Sequence, residues 1–320
     1  MNLALYGSDG FYSERGAGRR GDFITSPEVG PLFGTVIANM IDDQWRRQGK
    51  PTEFVVAEYG AGPGSLARSI FAASPECVSH LKYFAIEVSS IQRAKHPDLV
   101  QSVAELPEGT SVDVTFANEL LDNLPFQLFV YDSSWREAYV SIANDGKFVE
   151  VLRAPKEKDL QFINAIKGGR LGSRIPKQSV AQRWLMDALA ATTGGKVVVI
   201  DYARARTADV IDLPWRQWLR TYREHERGSH YLSDVGLQDI TGDVMIDQLM
   251  EVEPPLNVRT QAQFLQLWGI DELVTQGQEY WSQHAAHPDV LALKMRSRVS
   301  EAAALLDSNG LGGFSVIEWG

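Results

Sequence analysis

The chain has 320 residues, room for one large α/β domain with insertions or for two domains. It is 44% hydrophobic and 22% charged, the composition of an ordinary soluble globular protein. Its 31 basic and 41 acidic residues leave a net charge of −10, which argues against non-specific nucleic-acid binding and suits a cationic substrate or partner.

One cysteine, Cys77, rules out an internal disulfide. No apolar run reaches the roughly 18 residues of a membrane span, so no membrane partner is expected. Met1-Asn2-Leu3-Ala4-Leu5 lacks the basic start of a signal peptide, and a bacterial cytoplasmic location is the expectation.

Residues 1–25 are rich in glycine and arginine and read as a loop. Phe11, Tyr12 and Phe23 would be costly to expose together, so this segment should pack over something. Thr25-Ser26-Pro27-Glu28 reads as a helix start, with Ser26 as N-cap and Pro27 at N1, or with Thr25 and Glu28 as a capping box. Val29, Phe33, Val36, Ile37, Met40 and Ile41 continue that helix at helical spacing, and Gly49-Lys50-Pro51 ends it.

Phe54–Glu58 is an apolar run ending in an acid, followed by glycines at alternate positions, Gly60, Gly62 and Gly64, and then by a helical pattern from Ser65. That is a strand, a tight turn and a helix N-terminus, the place where nucleotide-binding α/β folds hold a cofactor. The dinucleotide fingerprint G-x-G-x-x-G is not met, because Ser65 stands where its third glycine would be. Glu58, two residues before the first glycine, would repel a phosphate and suit an ammonium group. The pattern therefore favours S-adenosylmethionine, which carries an amine and a sulfonium, over a nicotinamide dinucleotide. Lys82–Ile86 is a second strand ending in Glu87, placed to accept two ribose hydroxyls.

A short helix at 89–95, a third strand near 99–103 and a fourth at 111–117 follow. Asn118-Glu119-Leu120-Leu121-Asp122 lies at the carboxyl end of the fourth strand. Glu58, Glu87, Asn118 and Glu119 should then gather on one rim of the sheet. Residues 126–152 alternate apolar and polar around Asn144-Asp145-Gly146 and read as an inserted β-meander. Helices are expected at 156–167 and 178–191, with a fifth strand at 196–202. Residues 203–260 look irregular. Trp215–Arg223 interleaves aromatics with arginines and is read as a partly buried loop rather than an RNA-stacking surface. Residues 261–306 read as helical and 313–319 as a final edge strand. His284 and His287 have metal-ligand spacing but no third ligand, so no metal site is expected.

Several segments together resemble one family. Leu3-Ala4-Leu5-Tyr6, Gly21-Asp22-Phe23-Ile24-Thr25-Ser26-Pro27-Glu28, Glu58–Gly64, Asn118–Pro125, Asp201-Tyr202 and Asp239-Ile240-Thr241 match, in order, motifs of the MidA-like class I S-adenosylmethionine-dependent methyltransferases. That group includes the mitochondrial complex I assembly-factor protein-arginine methyltransferase. The resemblance implies a Rossmann-like seven-stranded α/β sheet with an inserted β-meander and extra helical segments. It implies a cofactor-covering N-terminal segment at 1–50, a core in two parts at 51–125 and 193–320, and an insert at 126–192. S-adenosylmethionine is the implied cofactor, held by Gly21, Asp22, Thr25, Ser26, Glu28, Glu58, Gly60, Gly62, Gly64, Glu87 and Asn118. Glu119, Asp122, Asn118 and His225 are the implied acceptor-side residues. A protein arginine is the implied methyl acceptor, and Glu119 with Asp122 would give its guanidinium a bidentate partner. Ala203 and residues 226–238 depart from the usual motifs and bear on the acceptor more than on the cofactor. A small-molecule acceptor, or a methyltransferase-like binding or assembly protein, are the alternatives, and a homodimer is compatible with either.

Overall fold

The computed structural model describes residues 1–14, 25–223 and 226–320. The chain forms two compact units. One, the insert unit, takes the described residues of Met1–Asp22, Leu120–Asp187 and Tyr202–Pro254. The other, the sheet unit, takes those of Phe23–Glu119, Ala188–Asp201 and Pro255–Gly320.

The sheet unit holds seven strands: β1 Phe54–Tyr59, β2 Leu81–Ile86, β3 Gln101–Val103, β4 Val114–Asn118, β5 Lys196–Asp201, β6 Asn257–Thr260 and β7 Ser315–Trp319. Their order is β6-β7-β5-β4-β1-β2-β3. The strands from β5 to β3 run parallel, and β7 runs antiparallel to both β5 and β6. Central strands of a parallel sheet are covered on both faces, which is why β1 and β5 read as continuous apolar runs rather than alternating ones. From β1 the chain steps outward to β2 and β3, then returns to place β4 on the other side of β1. The switch point of the sheet thus lies between β1 and β4, with their carboxyl ends side by side.

The helix expected from Ser26 onward is two helices. Ser26–Val29 ends at Gly30, which is extended, and Pro31–Arg47 begins anew. A residue before proline is driven out of the α region, so Pro31 enforces the break while serving as first residue of the next helix. Glu301 caps that new start, accepting the Leu32 N–H at 2.8 Å. A Cβ on Gly30 would stand 2.3 Å from the Glu301 carboxyl carbon, so this close approach needs glycine.

Three further expectations are corrected. The final strand is not an edge, because β6 pairs outside it. The N-terminal residues are not a loop throughout but helical at Asn2–Tyr6 and Phe11–Glu14, while Phe11 packs as expected, fully buried in the insert unit's core. Trp215–Arg223 is not a loop. It contains a short 3-10 turn and the strand Leu219–Arg223, which pairs antiparallel with Asp239–Gly242, and Trp218 is fully buried.

The insert unit carries the expected meander, Gln127–Asp132, Ser134–Ile142 and Phe148–Arg153, completed by a fourth antiparallel strand, Arg174–Lys177, on its inner side. Phe129, Trp135, Ile175, Leu219, Ile240 and Met245 form its core.

Candidate active site

The glycine turn at the end of β1 has Gly60, Gly62 and Gly64 at φ of +70°, +52° and +79°. Glycine reaches this region without the Cβ penalty, so all three positions need it. A Cβ on Gly62 would meet nothing within 4 Å: the turn leaves open space over that residue. Gly60 and Ala61 both donate to the Ile86 carbonyl, at 2.9 and 3.1 Å, which ties the turn to the end of β2.

Two buried acids face the turn from the strand ends. Glu58 accepts the Tyr83 hydroxyl at 2.7 Å, and burial pushes its carboxyl up to about 8, with the nearby Glu87 adding to the effect. A carboxyl so placed would gain most from a cation. Glu87 accepts the Gly62 N–H at 3.0 Å and the Ser89 N–H at 2.8 Å. Burial raises its carboxyl too, and those N–H bonds act against the rise. Each carboxylate oxygen keeps a lone pair for a further donor such as a ribose hydroxyl.

His96 packs against this turn and was not singled out from sequence. Its Nε2 lies 2.9 Å from the Gly62 carbonyl oxygen. No motif signals it; only the tertiary contact does.

At the end of β4, Glu119 sits at φ +52°, a conformation rare for a residue with a side chain. Its N–H donates to the Ile200 carbonyl at 2.8 Å, and the Asn118 Nδ2 donates to its Oε1 at 3.1 Å. The Asn118 Oδ1 is buried and has no hydrogen-bond partner among the described residues. The four rim residues expected from sequence, Glu58, Glu87, Asn118 and Glu119, thus stand at the carboxyl ends of three neighbouring strands of one sheet.

Thr25, not Ser26, precedes the helix Ser26–Val29; its hydroxyl caps no helix N–H, but the Glu28 carboxyl is hydrogen-bonded back to Thr25, so half of the expected capping box forms. Ser26 is fully buried and donates to Gln261 Oε1 at 2.8 Å, which commits its hydroxyl to the fold. Burial raises the Glu28 carboxyl. This helix packs on Ser65–Ala73, the helix that leaves the glycine turn. Gly21, Asp22 and His225 lie outside the described residues.

Asp122 belongs to the insert unit. It accepts the Thr241 hydroxyl, and burial pushes its carboxyl up to about 6. Asp239 lies in the same cluster. Its Oδ1 accepts the Tyr12 hydroxyl (3.0 Å), the Asn123 Nδ2 (3.0 Å) and its neighbour's Ile240 N–H (2.9 Å). Burial, and then the charge of Asp122, push it up to about 7. Asp239 and Thr241 stood in a matched motif without an assigned role, and Tyr12 was noted only as an aromatic. Among the described residues no group of three or more His, Cys, Asp or Glu is placed to hold a metal ion. No helix among them is long and apolar enough to cross a membrane.

A seven-stranded sheet of this order, with a glycine turn and two acids at its switch point, defines a class I S-adenosylmethionine-dependent methyltransferase fold. Residues 36–261 match the family described as "Putative S-adenosyl-L-methionine-dependent methyltransferase", and the chain belongs to that family. S-adenosylmethionine is its cofactor, and the open space over Gly62 and the raised Glu58 carboxyl fit a ligand that carries an amine. The chain is 30% identical over 168 residues to a mitochondrial protein arginine methyltransferase NDUFAF7 homolog of Drosophila melanogaster, covering 42% of this chain and 38% of that protein. It is 25% identical over 299 residues to the Rattus norvegicus mitochondrial protein arginine methyltransferase NDUFAF7, covering 79% of this chain and 65% of that one. The chain therefore spans less than two thirds of the length of these relatives. A crystal structure of a Burkholderia thailandensis protein bound to S-adenosyl-homocysteine superposes with a TM-score of 0.84 at 24% identity, covering 99% of this chain and 85% of the other.

Proposed function

We propose that the protein methylates a guanidinium nitrogen of an arginine in another protein. The observation that carries this reading is the Asn118–Glu119 pair, a carboxylate steadied by its neighbour's amide at the carboxyl end of a central strand, next to the sheet's switch point. Relatives named as protein arginine methyltransferases, at about a quarter identity, support the same acceptor class. The net charge of −10 favours a cationic acceptor.

When bound, S-adenosylmethionine supplies an electrophilic methyl on a sulfonium and leaves as the neutral thioether. The chain's own residues have to hold and align the two partners. The glycine turn leaves room for the ligand, Glu58 meets its amino group, and Glu87 accepts from its ribose. Glu119 accepts guanidinium N–H groups and turns one terminal nitrogen toward the methyl. As the new N–C bond forms, the nitrogen gives up one proton to a carboxylate or to water, so no strong base is required.

The test is labelled-methyl transfer from S-adenosylmethionine into a cell lysate, followed by acid hydrolysis of the labelled proteins and separation of the amino acids. Label in methylated arginine supports the reading. Label only in small molecules, or in another amino acid, overturns it.

A further inference from the structure

The Gly62 peptide groups are held at both ends. The N–H donates to Glu87 Oε2 at 3.0 Å, and the carbonyl oxygen lies 2.9 Å from His96 Nε2. A carbonyl can only accept, so Nε2 carries a proton. The other ring nitrogen, Nδ1, lies 2.9 Å from Ser102 Oγ in β3, whose hydroxyl can donate to it. The two contacts together select one neutral tautomer, with the proton on Nε2. Burial lowers the ring's pKa and favours that neutral form. The same ring closes over the next glycine: a Cβ on Gly64 would stand 3.3 Å from His96 Cδ2 and 3.0 Å from Pro97 Cδ.

We propose that His96 is a positioning residue for cofactor binding. With Ser102 behind it and Glu87 opposite, it fixes the plane of the peptide that follows Gly62 and so shapes the turn beneath the ligand. The inference rests on the reading that this turn holds S-adenosylmethionine. Nothing in His96 touches the acceptor-side acids through the contacts described, so its loss should weaken the cofactor and leave the acceptor alone. Glutamine at this position can still donate an N–H to the Gly62 carbonyl. Glutamate has the same length, cannot donate when ionised, and would set a carboxylate against that carbonyl.

The experiment titrates the full chain, His96→Gln and His96→Glu with S-adenosyl-homocysteine by calorimetry. Loss of one hydrogen bond that orients the turn corresponds to about a tenfold weaker affinity. The expected result is that His96→Glu binds about tenfold more weakly, that His96→Gln stays within about threefold of wild type, and that the acceptor KM and the kcat at saturating cofactor are unchanged in both. Wild-type affinity in His96→Glu overturns the proposal, as does an equal loss in His96→Gln. If the unaltered chain fails to bind, the fault lies with the cofactor site itself and the proposal falls with it. A second measurement is independent of binding and of whether the variants fold. The ¹⁵N shifts of the His96 ring in the free protein should report the proton on Nε2, and a proton on Nδ1 alone would overturn the arrangement.

Discussion

In the sheet unit, Glu58 meets Tyr83 and Gly62 meets Glu87 across 25 residues of chain, one strand–helix–strand repeat in each case. In the insert unit, Asp239 meets Asn123 across 116 residues and Tyr12 across 227. The first set is built by the periodic geometry of a parallel sheet around the open glycine turn. The second is assembled from three separate segments and is made mostly of side chains, joined by the main chain of Ile240. The acids differ accordingly. Burial raises both Glu87 and Asp239, and hydrogen bonds act against the rise in both, but only Asp239 is pushed up further by a neighbouring carboxyl, that of Asp122.

This contrast can be broken most severely at Gly62. Valine there would project into the open space over the turn and would also be strained at φ +52°, by about 1–2 kcal/mol. Gly62→Val is expected to lose S-adenosyl-homocysteine binding altogether, at a thermal midpoint within several degrees of wild type. Retained affinity in a calorimetric titration would remove the turn from the cofactor site.

Next in size is Glu119→Gln. The amide keeps the Asn118 contact and the shape of the residue but loses the charge proposed to hold the acceptor. The rate of methyl transfer should fall about a hundredfold or more, the scale of removing one preorganised charged partner, while cofactor affinity holds. If affinity falls and turnover at saturation does not, Glu119 belongs to the cofactor's shell.

A smaller effect sharpens the role of Glu58. Its carboxyl is raised to about 8, so at pH 7 the protonated form predominates in the free protein. A ligand ammonium needs the carboxylate, so binding at pH 7 should release a proton. Affinity should climb as pH rises from about 6 toward 8, and Glu58→Gln should abolish the release. Calorimetry in buffers of different ionisation enthalpy measures this directly, and zero proton release by the wild type would exclude a Glu58–ammonium contact.

The smallest expected change concerns stability. Asp239 and Asp122 are raised to about 7 and about 6, above their unfolded values. Their contribution is fully present below the unfolded pKa, near 4, and is lost as pH rises through the folded values. Asp239→Asn keeps an oxygen for Tyr12 and Asn123 yet cannot ionise. The variant should show a flatter decline in urea-unfolding stability between about pH 5 and 8, with a gain of about 1 kcal/mol at pH 8. An unchanged pH profile would show that Asp239 does not titrate in this range.

Much of the sheet unit was legible before any coordinates. Five of its seven strands carry their own signal, because each is a short apolar run ended by glycine, an acid or a turn, and the edge strand Gln101–Val103 is marked only by the apolar Leu99-Val100 before it. The opposite edge strand, Asn257–Thr260, carries no signal, since two exposed residues, a half-buried arginine and an exposed threonine give it no hydrophobic face. The rim residues Glu58, Glu87, Asn118 and Glu119 were legible for the same reason, as each lies at or just past the carboxyl end of its strand. Trp215–Arg223 and residues 1–14 were not. Their apolar side chains bury only against partners that are remote in sequence, and local composition looks like a solvated loop.

The sequence by itself determined the class of fold and the position of the cofactor turn, because φ > 0 at three alternate residues and an acid at a strand end are local requirements written in single residue types. Only the tertiary structure decided that His96 steadies that turn, that Ser26 is spent on Gln261 inside the fold, and that Asp122 and Asp239 share a cluster with Tyr12. Those contacts depend on which distant side chains packing brings within 3 Å of one another, and no spacing along the chain encodes that.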